Sequence, residues 1–135
     1  MTAVRVIVRA LVNPTEDEEK VRRAIGTLSE GGTITRTPLA NETIQITSES
    51  DSLKSLTPLR DLLKRERVRG AARSVMFASV RGSTLAFMFN KQVAFAGRAS
   101  FATSDNESPL GPIEVTIQAE DPAQVIDWLA PPSQR

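Results

Sequence analysis

The feature that most constrains the fold is a strict alternation of residue types near the start of the chain. One set of alternating positions is wholly apolar, namely Val4, Val6, Val8, Ala10 and Val12. The positions between them hold Arg5, Ile7, Arg9 and Leu11. A period of two is that of a β-strand, because successive side chains of a strand point to opposite faces. The pattern predicts a first strand with one face buried and the other partly exposed.

A helix is predicted next, beginning at Thr15. Thr15 and Glu18 have the spacing of a capping box, in which each side chain bonds to the backbone of the other. The apolar stripe of this helix is Val21, Ala24, Ile25 and Leu28, and Gly31-Gly32 ends it. The β-branched segments 33–37 and 43–47 then predict a hairpin.

The middle of the chain predicts two further helices. Ser50 to Ser52 can cap a helix in which Pro58 lies near the first turns, where proline is tolerated. Its inward positions are Leu53, Leu56, Leu59, Leu62 and Leu63. Gly70 is predicted to separate this helix from another at 71–78.

The last third predicts strands at 84–89, 99–102 and 113–117, followed by a helix that begins at Asp121-Pro122. The element order is then β-α-β-β-α-α-β-β-β-α, with hairpin-length connections between several strands. That order favours an α+β fold on a mainly antiparallel sheet packed by helices. With 135 residues, we expect a single domain at 1–130 and a loose tail at 131–135.

Composition excludes several kinds of chemistry. The chain has no cysteine and no histidine, so it has no disulfide, no cysteine zinc site and no serine-histidine-acid triad. The acidic residues 16–19 suit the first turn of a helix better than a metal site, so we predict no metal and no cofactor. No apolar run is long enough to span a membrane, and the protein is expected to be soluble and cytoplasmic.

Positive charge is concentrated in the middle of the chain. Between Leu53 and Ser100 there are ten basic residues and two acidic ones, Asp61 and Glu66, although the whole chain has a net charge of +1. Basic residues at this density can neutralise phosphates. Arg65, Arg69 and Arg73 recur every four residues and would share one face of an unbroken helix. The alternative is that these arginines pair with Asp61, Glu66 or the acidic C-terminal segment.

Other features bear on how RNA would be bound. The aromatic residues are few, and Phe87 and Phe89 alternate as core residues do, which favours contacts to phosphate and helical shape over base stacking. Asn90-Lys91-Gln92 leaves an apolar strand abruptly, as a functional tip or as a turn held by its own side chains.

Several segments resemble one archaeal family, uncharacterised protein family 0201, which is related to predicted RNA-binding and exosome-associated proteins. They are Asn13-Pro14-Thr15-Glu16, Lys20-Val21, Ala24-Ile25, Leu59-Arg60 to Ala72-Arg73, Phe89 to Ala94 with Gly97, Pro109 to Ile113, and Asp127 to Pro131. The resemblance implies a fold like that of the large-subunit ribosomal protein numbered five. It also implies a non-catalytic role with structured RNA.

Three hypotheses follow. The first is an RNA-binding accessory protein of translation or RNA processing that uses Arg60, Lys64, Arg65, Arg67, Arg69, Arg73, Asn90, Lys91, Gln92 and Arg98, with Arg81 as a further candidate. The second is a homodimer in which the basic middle pairs with the acidic ends of another copy. The third is an enzyme that uses Lys91 or a carboxylate site with a small ligand, which a surface pocket joining Lys91 to Glu114 or Asp127 would support.

Overall fold

Six strands form one sheet in the computed structural model, which describes residues 3–102 and 110–132. The strands are β1 (Val4–Val12), β2 (Thr33–Pro38), β3 (Ile44–Ser50), β4 (Thr84–Asn90), β5 (Phe101–Ala102) and β6 (Pro112–Ala119). Their order across the sheet is β2-β3-β1-β6-β4-β5, and every neighbouring pair is antiparallel. The predicted α+β fold with an antiparallel sheet is confirmed.

The helices are α1 (Glu18–Leu28), α2 (Thr57–Arg65), α3 (Arg69–Ala78), α4 (Lys91–Phe95) and α5 (Pro122–Leu129). Short 3-10 turns at Ala40–Glu42 and Leu53–Leu56 precede β3 and α2. The apolar side chains of the strands and helices form one buried cluster. This cluster lies on one side of the sheet. On that side Ile46, Ala10, Ile113 and Phe89 pair in turn across four neighbouring strands, and all four are buried.

The other side of the sheet, which we call the open face, carries the alternate residues of the same strands. Arg5 forms an ion pair with Glu49 of β3, and Arg9 forms one with Glu114 of β6 at 3.2 Å. The prediction that β1 has one buried and one partly exposed face is therefore confirmed. The arginines of β1 on the open face form ion pairs with carboxylates of the neighbouring strands.

The start of α1 differs from the prediction. The N-cap is Asp17, whose carboxylate accepts a hydrogen bond from the Glu19 N–H at 2.9 Å, and the helix begins at Glu18 rather than at Thr15. Glu16 lies in the turn before the helix, where its N–H donates to the Asn13 carbonyl and its carboxylate accepts from the Asn13 N–H. The predicted apolar stripe of α1 is buried throughout, so the inward face of the helix was predicted correctly.

The break between α2 and α3 also differs from the prediction. It falls at residues 66–68, where Arg67 has a left-handed backbone with φ of 58°, and Gly70 lies inside α3. Helix α4 was missed because its five residues are too few to show helical periodicity. Of the predicted strand 99–102, only Phe101–Ala102 pair in the sheet, and residues 133–135 of the predicted tail lie outside the described part of the chain.

Candidate nucleic-acid interface

Helix α2 presents basic side chains because its other face is committed to the core. Leu59, Leu62 and Leu63 are buried, which leaves Arg60, Lys64 and Arg65 on the exposed side of the helix. Arg67 is exposed in the turn that follows, and Arg69 is half-buried at the start of α3. We call these five residues, Arg60, Lys64, Arg65, Arg67 and Arg69, the α2–α3 basic surface.

The turn between the two helices adds to the positive potential of this surface. Helix α3 begins after Val68 without a side-chain cap, and its first turn contains no acidic residue. The start of a helix is its positive end, where a carboxylate would be favourable and a cation is not. Arg69 lies at this end, so its charge adds to the potential instead of offsetting it.

Three residues of this surface line a cleft of about 220 Å³. Arg60, Lys64 and Arg69 surround it together with Asp61 and Pro131. The Arg60 guanidinium stacks over the ring of Trp128, 4.8 Å from its centre, which holds this cation in place by a cation–π contact. The cleft is lined by three cations and one carboxylate, that of Asp61, so the cleft is suited to an anion.

A second group of cations lies where α2 meets the segment after α4. Arg65 donates to the Gly97 carbonyl at 3.2 Å, and Arg98 forms an ion pair with Glu66 at 3.3 Å. The Arg98 side chain is nevertheless 73% exposed. Arg98 therefore borders the basic surface, with part of its charge balanced by Glu66.

Arg73 does not belong to this surface. Its guanidinium donates to the Asp127 carboxylate and to the Ala130 carbonyl, both at 2.8 Å, and lies 5.2 Å from the centre of the Phe77 ring. The alternative considered from the sequence, pairing with the acidic C-terminal segment, is thus correct for Arg73. Because α2 and α3 are separate helices, Arg65, Arg69 and Arg73 do not form one continuous helical face.

The predicted tip at Asn90-Lys91-Gln92 is largely structural. The Asn90 side chain caps α4 by accepting from the Val93 N–H at 3.0 Å, and Gln92 is exposed beside a pocket of about 270 Å³. Lys91 is only 3% exposed. Its ammonium donates to the Leu11 and Leu110 carbonyls, both at 2.7 Å, and to the Glu16 carboxylate at 2.9 Å.

These contacts form what we call the Lys91 cluster: Lys91, Glu16, Asn13 and the carbonyls of Leu11 and Leu110. Asn13 donates through its side chain to Glu16 at 2.7 Å and to the Leu110 carbonyl at 3.0 Å. An ammonium has three hydrogens, and all three have acceptors here. Lys91 is therefore not free to contact phosphate, and we remove it from the proposed RNA contacts.

The pocket expected for an enzyme is not formed by the residues that the sequence suggested. Glu114 pairs with Arg9 and Asp127 pairs with Arg73, so neither reaches Lys91. The described residues contain no group of three or more acidic side chains that could hold a metal ion. Among residues 3–102 and 110–132, every helix is too short or too polar to span a membrane.

The aromatic side chains confirm the prediction of a core role for Phe87 and Phe89. Both are buried, their rings meet edge to face with centres 5.7 Å apart, and Phe101 lies 4.5 Å from Phe89. Trp128 and Phe77 each have an arginine over the ring, although Phe77 is still 43% exposed. The basic surface thus offers cations and hardly any aromatic faces.

Comparison with known proteins gives a family. A family model described as RNA binding matches residues 5–119. A UPF0201 protein of Sulfolobus acidocaldarius is 46% identical over 94% of this chain and 87% of its own length, and one of Aeropyrum pernix is 41% identical over 98% and 88%. The crystal structure of a UPF0201 protein from Methanococcus jannaschii, 30% identical, superposes with a TM-score of 0.85 over 96% of this chain and 95% of that one.

Proposed function

This chain belongs to the archaeal UPF0201 family, whose matching family model is described as RNA binding, and we propose that it binds structured RNA through the α2–α3 basic surface. The family membership expected from the sequence is confirmed. The likeness to a large-subunit ribosomal protein is untested by these comparisons and stays a prediction.

One observation carries the proposal: the cations of the α2–α3 basic surface have no carboxylate partners. Among the described residues, ion pairs engage Arg5, Arg9, Arg22, Arg36, Arg73, Lys91 and Arg98. Within that same part of the chain, none of the five residues of the basic surface forms an ion pair. Phosphates of a nucleic acid would supply the missing negative charge, with release of counterions.

The proposed contacts are to phosphate and to helical shape. Base stacking needs exposed aromatic faces, and the aromatic rings near this surface are already beneath arginines. RNA bound in this way would be recognised by its fold rather than by its base sequence. We propose a cytoplasmic, non-catalytic accessory role in translation or RNA processing. The Lys91 ammonium is not available as a nucleophile, because all three of its hydrogens have acceptors.

The proposal is tested by binding labelled structured RNA, double-stranded RNA and double-stranded DNA across a salt series. The decisive variant changes Arg65, Arg67 and Arg69 together to glutamate. Arg73 is left intact because its loss would break contacts within the fold. The matched control changes Lys20, Arg23 and Lys54 to glutamate, which are exposed cations outside the basic surface and give the same change in net charge.

Salt-sensitive RNA binding that is lost in the first variant and kept in the control is the expected result. An equal loss in both variants would show a general charge effect and would reject the surface. Failure of the natural protein to bind any of the three nucleic acids at low salt would reject RNA binding itself.

A further inference from the structure

The two edges of the sheet differ in a way that the RNA proposal does not use. At one edge, β5 has only two residues, whereas at the other edge β2 has six. All six residues of β2 are exposed, although their side chains alternate between the two faces of the sheet. Strand β2 is therefore little covered by the helices, and β3 is its one neighbour in the sheet.

The hydrogen-bond pattern shows which backbone groups of β2 face outward. The Leu39 N–H donates to the Thr43 carbonyl at 2.7 Å, one step beyond the last residue pair of the β2–β3 ladder. Hydrogen-bonded and non-hydrogen-bonded pairs alternate along an antiparallel ladder. Counting back from Leu39, the backbone groups of Thr33, Thr35 and Thr37 point to β3. Those of Ile34 and Arg36 point away from it.

Pro38 agrees with this assignment. Proline has no N–H, and within sheets it is tolerated where that N–H would face outward from an edge. Pro38 has the same parity as Ile34 and Arg36, so it removes nothing from the β2–β3 ladder. The outward edge of β2 thus presents the N–H and C=O of Ile34, the N–H and C=O of Arg36, and the C=O of Pro38.

Strand β2 has little of the usual protection of an exposed edge beyond Pro38 at its end. Edge strands are commonly guarded by charged side chains, proline, bulges or short length. The only charge on β2 is that of Arg36, and it is neutralised by Glu18 at 3.0 Å. The strand is rich in β-branched residues, and Ile34 is 45% exposed. Strand β2 thus has high β-propensity, almost no net charge, and outward backbone N–H and C=O groups that can pair with another strand.

We propose that β2 pairs in antiparallel fashion with β2 of a second copy of this chain, across a two-fold axis that passes beside Thr35. In this register Ile34 of each copy exchanges both backbone hydrogen bonds with Arg36 of the other. Thr35 faces Thr35, a favourable cross-strand pair. The two six-stranded sheets then form one continuous sheet.

The symmetric register centred on Arg36 is disfavoured. It would set two arginines directly opposite each other and would place Pro38, which has no N–H to donate, opposite Ile34. A second copy suits this edge for two reasons. The outward backbone groups of β2 can pair with the same groups of another β2, and the charge of Arg36 is neutralised by Glu18, so the two strands do not repel each other. This dimer differs from one in which the basic middle meets acidic ends, because its contacts are made by the backbone of β2 and not by the α2–α3 basic surface.

The first test is the mass of the natural protein by light scattering over a range of concentrations, compared with an Ile34→Pro variant. Proline at this position removes only an outward N–H, as Pro38 does already. We expect a dimer whose dissociation constant rises by about tenfold or more, since two symmetry-related hydrogen bonds are lost. Ile34→Val is the matched control and should leave the dimer unchanged.

The second test fixes the register and does not depend on how the proline variant folds. The chain has no cysteine, so Thr35→Cys introduces a single thiol. Directly opposite residues in a non-hydrogen-bonded pair have Cβ atoms about 4.5 Å apart, close enough for a disulfide. Mild oxidation should give a covalent dimer rapidly with Thr35→Cys and not with Thr47→Cys, which lies on the interior strand β3. A natural protein that stays monomeric, or equal cross-linking of the two cysteine variants, would overturn the proposal.

Discussion

The Lys91 cluster and the α2–α3 basic surface place the same kind of charge in opposite surroundings. Lys91 is 3% exposed and meets a carboxylate and two carbonyls, whereas the basic surface holds five cations that no described carboxylate pairs with. The sequence predicted RNA contacts in both places. The difference shows that a basic residue is assigned to the fold or to a ligand by the oxygen atoms around it, and here the decisive oxygen belongs to Glu16, 75 positions away.

The largest effect should come from breaking the buried pair. Replacing Lys91 with methionine would leave the Glu16 carboxylate buried without its partner, and we expect the free energy of unfolding to fall by about 3–5 kcal/mol. Urea denaturation measures this change. Lys64→Met, on the exposed surface, is the matched control and should change stability by less than about 0.5 kcal/mol. Equal effects of the two substitutions would remove the distinction between the two regions.

The next effect concerns RNA and should be confined to the basic surface. Replacing Arg65, Arg67 and Arg69 with glutamine should reduce the slope of log affinity against log salt concentration by about 2–3, since each phosphate contact contributes roughly 0.9. Fluorescence anisotropy over a salt series gives the slope. An unchanged slope would mean that these side chains do not neutralise phosphates.

Arg73 provides a test between the two regions, because it is basic and close to the surface in sequence but bonded within the fold. Arg73→Ala removes the hydrogen bonds to Asp127 and Ala130 and should lower stability by about 1–2 kcal/mol. RNA affinity at a temperature where the variant is folded should be unchanged. If Arg73→Ala instead weakens RNA binding as much as Arg69→Ala does, the boundary drawn around the basic surface is wrong.

A smaller effect is expected where an ion pair is exposed. On the open face, Arg9 and Glu114 are each more than two-fifths exposed, at 41% and 44%. Exposed pairs of this kind contribute about 0.2–1 kcal/mol. A double-mutant cycle with Arg9→Ala and Glu114→Ala should give a coupling energy in that range. A value as large as the Lys91 effect would show that burial is not what separates the two pairs.

The smallest effect concerns the pKa of Glu18, at the exposed start of α1. Hydrogen bonds from Arg36 and then Arg22 hold the pKa of this carboxyl below its ordinary value. Because the folded pKa is the lower one, the stabilisation is complete above the unfolded pKa and is lost as pH falls through the folded pKa. An NMR titration should show the low pKa, and Arg36→Gln should raise it toward the ordinary value. No change on substitution would exclude Arg36 as the cause.

The sequence was sufficient for features that a local pattern determines. The alternation at Val4–Val12 predicted the buried face of β1, and the stripe from Val21 to Leu28 predicted the buried face of α1. Asp121-Pro122 likewise predicted the start of α5, where the Asp121 carboxylate accepts from the Gln124 N–H. Each of these depends on residues within about two helical turns or along one strand.

Features that depend on distant residues were not predictable in the same way. The burial of Lys91 requires Glu16 and the Leu110 carbonyl, which only the fold brings together. The start of α1 at Glu18 follows from the cap at Asp17, where the sequence had predicted the cap at Thr15. The break at Arg67 was missed because an arginine, rather than a glycine, adopts the left-handed backbone there. One signal could have suggested that the two segments of the Lys91 cluster lie together. Each is a polar motif at the end of a strand, at residues 13–16 and 90–92.

The pairing of β1 with β6 at the centre of the sheet also affects how the chain folds. Arg9 and Glu114 are neighbours across this pair although they are 105 positions apart in sequence. Closing so long a loop is entropically costly, and folds rich in such distant contacts fold slowly. During synthesis β1 leaves the ribosome before β6, and it cannot be flanked on both sides until β6 has followed. The central sheet therefore cannot be completed until β6 has been made, so a nascent chain truncated before β6 should not reach the native state.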